Sequence, residues 1–176
     1  LKRKGFHKLI KINKNDLCID IENAGIEVIQ EEITEDSAAA LLKKYPDPSV
    51  LIVRHILEHA HYPVEFINGL KTLASNKGAY IVLEVPDYLK AFKGFDYSTV
   101  WEEHTMYFTL SSFKQTLIQS GFTIVYINEY EYTHENCLVA IVQLSENCCK
   151  TYDDISIESK ILKKYKIEYG KKIDRI

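Results

Sequence analysis

Glycine and proline are sparse, 7 and 4 of 176 residues. The glycines nowhere gather into a G-x-G-x-x-G turn, so no glycine-rich loop lets the backbone close on a bound cofactor. Cysteine forms no pattern either. Cys18 and Cys137 stand alone and Cys148 and Cys149 are adjacent, which excludes a zinc-ribbon spacing and a secreted disulfide framework and fits a reducing cytoplasm. Apolar runs such as VLIV and YIVL stop far short of the ~20 residues of a membrane helix. No signal peptide is read at Leu1, so a soluble chain is expected. Excess positive charge is missing as well. A formal charge of −3 argues against a nucleic-acid binder held mainly by phosphate contacts, and the basic ends LKRKGFHK and KILKKYKIEYGKKIDR read as solvated helix faces. Methionine occurs once, as Met106, and the opening KRKG reads as the last turn of a helix with its glycine cap. The sequence is therefore expected to be part of a longer protein.

What is present suffices for one core: 46% of residues are hydrophobic and 11% aromatic. Short apolar runs alternate with segments of helical period, the pattern of parallel strands joined by crossover helices. KLIKI (8–12), IEVI (26–29), SVLIVR (49–54) and AYIVLEV (79–85) are predicted strands. The third is continuously apolar and is expected to be covered on both faces. A helix capped by Asn15 or Asp16 is predicted after the first strand, and TEDSAAALLKKY (34–45) after the second, with acids at its start and lysines at its end. PVEFINGLKTLAS is a helix with proline in its first turn. Pro86 is expected to end the fourth strand, and residues 86–105 show no clean period. TLSSFKQTLIQSGF is a helix stopped by Gly121. TIVYINEY and CLVAIVQL follow with too short a connection for a crossover, so they should run antiparallel. Residues 151–176 form a lysine-rich amphipathic helical extension to a domain spanning 1–150.

Residues 54–61, RHILEHAH, contain the H-x-x-E-H pattern of one class of zinc peptidase in His55, Glu58 and His59. That chemistry wants both histidines on one long helix, whereas here the pattern follows a strand and Tyr62-Pro63 cuts any helix short. No metal is expected, and a zinc hydrolase is the least favoured reading. The carboxyl edge of an open α/β sheet nonetheless binds ligands, so a ligand-lining loop stays open beside a locally hydrogen-bonded one.

The stretch SVLIVRHILEHAHYPVEFINGLKTLASNKGAYIVLEVPD resembles the second half of class I S-adenosylmethionine-dependent methyltransferases. FDYSTVWEEHTMYFTLSSFKQTLIQSGFTIV resembles, within that class, the C-methyltransferases of nucleotide-linked keto-deoxysugars. Glu103, His104, Tyr107 and Phe108 fall on matching positions, while Trp101 and Glu102 depart from the pattern. His134 is kept in a later segment that loses both of its glycines. The resemblance covers residues 5–144 and implies a Rossmann-like sheet, mostly parallel, with a final antiparallel hairpin. The strand that normally carries the glycine-rich loop is lacking here. S-adenosyl-L-methionine is the implied cofactor and a nucleotide-linked sugar or glycan precursor the implied acceptor. Asn13, or Ile12 if the alignment slips, stands where the family hydrogen-bonds the ribose. Glu31 with Ile33 stands near adenine, unless Glu31 is simply a solvated charge. Arg54 and His55, at the mouth of the third predicted strand, are further candidates for cofactor contact.

Methylating a carbon beside a ketone requires removal of a proton. Histidine, with an ordinary pKa of roughly 6.5, suits that role near neutral pH. His104 is the candidate base, Glu103 its orienting partner, and Tyr107 a hydrogen-bonding group for the acceptor or a packing residue. The competing reading is a noncatalytic binding or scaffold module that kept the fold and lost the cofactor loop.

Overall fold

The computed structural model describes residues 8, 10–12, 27–29, 32–75, 78–100, 103–132, 135–145 and 156–173. The predicted helix after KLIKI lies outside them. Two parallel strands, β1 (Ile10–Ile12) and β2 (Glu27–Ile29), form one small sheet. A second sheet has the order β3-β4-β6-β5, built from β3 (Val50–Arg54), β4 (Tyr80–Asp87), β5 (Phe122–Tyr130) and β6 (Asn136–Leu144). β3 and β4 run parallel, whereas β6 lies antiparallel between β4 and β5. The architecture is thus the expected α/β one, closing on an antiparallel hairpin. No ladder joins β1 to β3 among the described residues. Both strands nevertheless sit under the same helices, because Ile12 and Leu51 pack against Ala38, Leu41 and Leu73.

Those helices start and stop where their sequence dictates. α1 (Glu35–Lys44) opens on a capping box: the Ser37 N–H donates to Thr34 Oγ1 at 3.2 Å and the Thr34 N–H donates to Ser37 Oγ at 2.9 Å. Thr109 and Ser112 repeat the device at α4 (Leu110–Gln119), which ends ahead of Gly121 at a φ of 84°. α2 (Pro63–Leu73) has its proline at the first turn. It crosses so close to the start of α1 that a Cβ on Gly69 would lie 2.8 Å from the Thr34 carbonyl oxygen. One core fills the space between the main sheet, α2 and α4, with Leu57, Leu70, Ile81, Leu83, Phe113, Leu117 and Leu138 each at most 3% exposed.

Two expectations need correction. β3 is not covered on both faces: Val50 is 37% and Ile52 47% exposed, and among the described residues only Leu51 and Val53 of this strand turn to the packed side. Pro86 does not end β4, which continues to Asp87. The β3 pairing stops at Arg54 opposite Glu84, so Pro86 lies where that flank of β4 has no β3 partner and its missing N–H leaves no ladder bond unmade there. Within 86–105 the chain forms α3 (Leu89–Gly94), six residues and too short for a period to show.

α5 (Ser156–Ile173) folds back on α3 and the loop after it. Tyr165 meets Phe92 at 5.2 Å and Tyr97 at 4.7 Å between ring centroids, and Tyr169 meets Tyr97 at 5.1 Å. The Tyr165 hydroxyl donates to the Asp96 carbonyl, and Thr109 Oγ1 donates to Glu158 at 2.6 Å. No helix among the described residues is long and apolar enough to cross a membrane.

Candidate functional site

The ends of β3 and β4 and the segment before α4 meet at the carboxyl edge of the sheet. Beyond Arg54 the chain turns at His55, a non-glycine residue at a φ of 50°, and winds a single 3-10 turn over Leu57–His59. Residues 103–108 are stitched onto that turn. The N–H groups of Thr105 and Met106 donate to the Glu58 carbonyl at 2.8 and 3.2 Å, and Thr105 Oγ1 donates to the Ala60 carbonyl at 2.9 Å. On the other side Phe108 bridges Asp87, and its carbonyl accepts from the Tyr88 N–H at 2.9 Å. His104 is thereby fixed between the tips of the two strands.

The His104 ring is half-buried. Its Nδ1 lies 2.5 Å from the Tyr88 hydroxyl, and its ring meets that of His59 edge-on at 4.4 Å. Burial pushes the imidazole below its ordinary pKa and His59 adds to the effect, while the Glu58 and Glu103 carboxylates pull the other way. The neutral form is therefore favoured near pH 7. Glu103 is exposed, and its carbonyl accepts from His59 Nδ1 at 3.1 Å. Tyr107 is half-buried, with its ring 4.7 Å from that of Tyr88 and 6.2 Å from that of His104.

Sequence reasoning missed Tyr88. It is 1% exposed, burial raises its hydroxyl above the ordinary value, and it is the residue seen to position the His104 ring. The available signal was an aromatic hydroxyl two residues beyond Pro86, the predicted end of a strand.

Arg54 and His55 are engaged with carboxylates. Arg54 grips Glu84 through both Nε and Nη2, at 2.5 and 3.0 Å, which holds the Glu84 carboxyl below its usual range. His55 lies between Glu58, at 3.2 Å from Nδ1, and Glu84, at 3.3 Å from Nε2. The Cys137 thiol also points at Glu84, and burial pushes it up to about 11. Asn13 and Glu31 lie outside the described residues, as do Trp101, Glu102 and His134.

A recess of about 220 Å3 opens beside the site, lined by Asp87, Tyr88, Lys90, Glu135 and Asn136 among others. A larger cleft of about 730 Å3 runs between Tyr107 and α5. Asp87, 4% exposed, accepts from the Leu89 N–H at 3.1 Å, yet burial raises its carboxyl to about 6. Because that value exceeds the ordinary 3.8, the protonated acid favours the fold. Its contribution is complete below about pH 4 and is lost as pH rises through 6. Asp87→Asn should flatten this dependence and add about 1–2 kcal/mol at pH 7.5, after allowance for solvent screening, in urea unfolding measured at both ends of the range.

The fold is that of S-adenosylmethionine-dependent methyltransferases. A methyltransferase of that kind from Anabaena variabilis ATCC 29413 superposes with a TM-score of 0.60 at 15% identity, over 81% of this chain and 70% of that one. The methyltransferase domain of bacterial CtHen1-CN gives 0.52 at 13% identity, over 81% of both chains. The small RNA methyltransferase HEN1 gives 0.51 at 13%, over 83% of this chain and 21% of that one. No family model and no curated protein matches the sequence. The likeness to these methyltransferases is one of fold.

Proposed function

We propose that this chain is part of an S-adenosylmethionine-dependent methyltransferase that C-methylates a sugar or glycan precursor in the cytoplasm. The observation that carries the reading is the Tyr88-held, half-buried imidazole of His104 between the tips of β3 and β4, the edge at which open α/β sheets bind ligands; burial lowers its pKa. His104 takes the proton from the acceptor carbon beside its carbonyl. Tyr88 fixes the plane of the ring, and Tyr107 faces the acceptor from the same cluster. The cofactor supplies a methyl group made electrophilic by its sulfonium.

The acceptor side is supported by a half-buried imidazole held by Tyr88, which itself lines a small recess. On the donor side Arg54 and His55, 63% and 44% exposed, remain candidates for cofactor contact while paired with Glu84 and Glu58. Asn13 at the ribose and Glu31 near adenine carry that part of the proposal. An RNA acceptor, suggested by one structural neighbour, is disfavoured by the −3 charge and by Glu58 and Glu103 flanking His104.

Calorimetric titration of the full-length gene product is the test. Uptake of S-adenosylmethionine or of its demethylated product is expected, and uptake of neither overturns the proposal.

A further inference from the structure

Glu58 is fully buried. Its Oε1 meets His55 Nδ1 at 3.2 Å, but its Oε2 is enclosed without a hydrogen-bond partner. An interior carboxylate oxygen left unanswered is costly, and native structures rarely keep one without a donor or a cation to meet it. Two imidazoles gather beside this carboxylate. A carboxylate oxygen of Glu58 and one ring nitrogen from each of His59 and His104 lie within 4.8 Å of one another.

We propose that Glu58, His59 and His104 bind one divalent transition-metal ion of the zinc class. Two imidazoles with one carboxylate are the donor set of such ions, whereas magnesium and calcium select oxygen donors. Tetrahedral coordination at the usual bond lengths needs ligand atoms roughly 3.4 Å apart, which small rotations of two half-buried rings supply. The surroundings are those of a ligand set. His59 Nδ1 donates to the Glu103 carbonyl, so its lone pair resides on Nε2, and Tyr88 anchors His104 through Nδ1. His55 steadies the other Glu58 oxygen.

The arrangement differs from the peptidase reading of H-x-x-E-H, because the glutamate is a ligand, the first histidine is its support and the third ligand comes from the loop before α4. A neighbouring group of His55, Glu84 and Cys137 is the weaker candidate, since both Glu84 oxygens already bind Arg54. Resting on the proposed function for this point alone, an ion on His104 holds the lone pair that would otherwise take the proton. Metal loading and base catalysis therefore exclude one another.

The test uses the full chain stripped with chelator, titrated with zinc chloride by calorimetry and with cobalt(II) by visible absorption. One equivalent should bind, with cobalt bands that lack a thiolate charge-transfer component. Glu58→Gln and His59→Ala should each weaken uptake at least about tenfold, with the second serving if the first fails to fold, and Cys137→Ser should leave uptake unchanged. No uptake, uptake indifferent to both ligand variants, or a thiolate band abolished by Cys137→Ser would overturn the site. Cofactor titration is read separately. Metal uptake without cofactor uptake sinks the proposed function and spares the ion site, and the reverse result sinks the ion site alone.

Discussion

His104→Gln should lower methyl transfer by about 100-fold or more while leaving the unfolding midpoint within the range of a surface substitution. The ring is half-buried at a sheet edge, so its loss opens no cavity in the core formed by Phe113, Leu117 and Leu138. Glutamine retains hydrogen-bonding capacity toward Tyr88 but cannot accept a proton at neutral pH. A rate assay beside a denaturation curve separates the two readings of the protein. An enzyme loses turnover and keeps its fold, whereas a scaffold module has no turnover to lose and keeps its binding behaviour. A variant with unchanged methyl transfer removes His104 from the chemistry. Because the ion site is tested through Glu58 and His59, the two outcomes do not become entangled.

Phe113→Ala should be the most damaging single truncation in the core, at about 3–5 kcal/mol. Its side chain is 0% exposed, and its ring lies 5.4 Å from that of Phe108, the residue that bridges Asp87. Native stability of a domain is itself only about 5–15 kcal/mol, so the variant should populate unfolded chain at modest urea concentrations. Since Phe108 follows the His104 segment, the same truncation should loosen the site before it unfolds the sheet. A loss below about 1 kcal/mol would show that α4 contributes little to holding the sheet.

Much of the scaffold was legible because its signals are local. The helices over 34–45 and before Gly121 followed from their period and end signals, while the reciprocal caps of Thr34 with Ser37 and Thr109 with Ser112 are findings of the structure. The β5–β6 hairpin followed from a connection too short to cross over. What escaped were features that depend on partners remote in sequence. Arg54 reads as a candidate for cofactor contact, and its pairing with Glu84, 30 positions away, is set only by the β3–β4 register. Glu58 reads as one member of an H-x-x-E-H pattern in a short loop, and its complete burial follows only from the return of residues 105 and 106 onto its carbonyl. Tyr88 has no local signal beyond its place after Pro86 and Asp87, since its role comes from a loop that arrives 16 residues later.

The two borders of the main sheet are unlike. β5 carries a bulge between Ile124 and Tyr126 and ends on Asn128, Glu129 and Tyr130, a profile that discourages further pairing. β3 has no proline, lysine or kink along Val50–Val53, and Ile52 shows nearly half its surface. Among the described residues that border has no partner beyond β4, and its flat, uncharged profile suits pairing with a further extended segment.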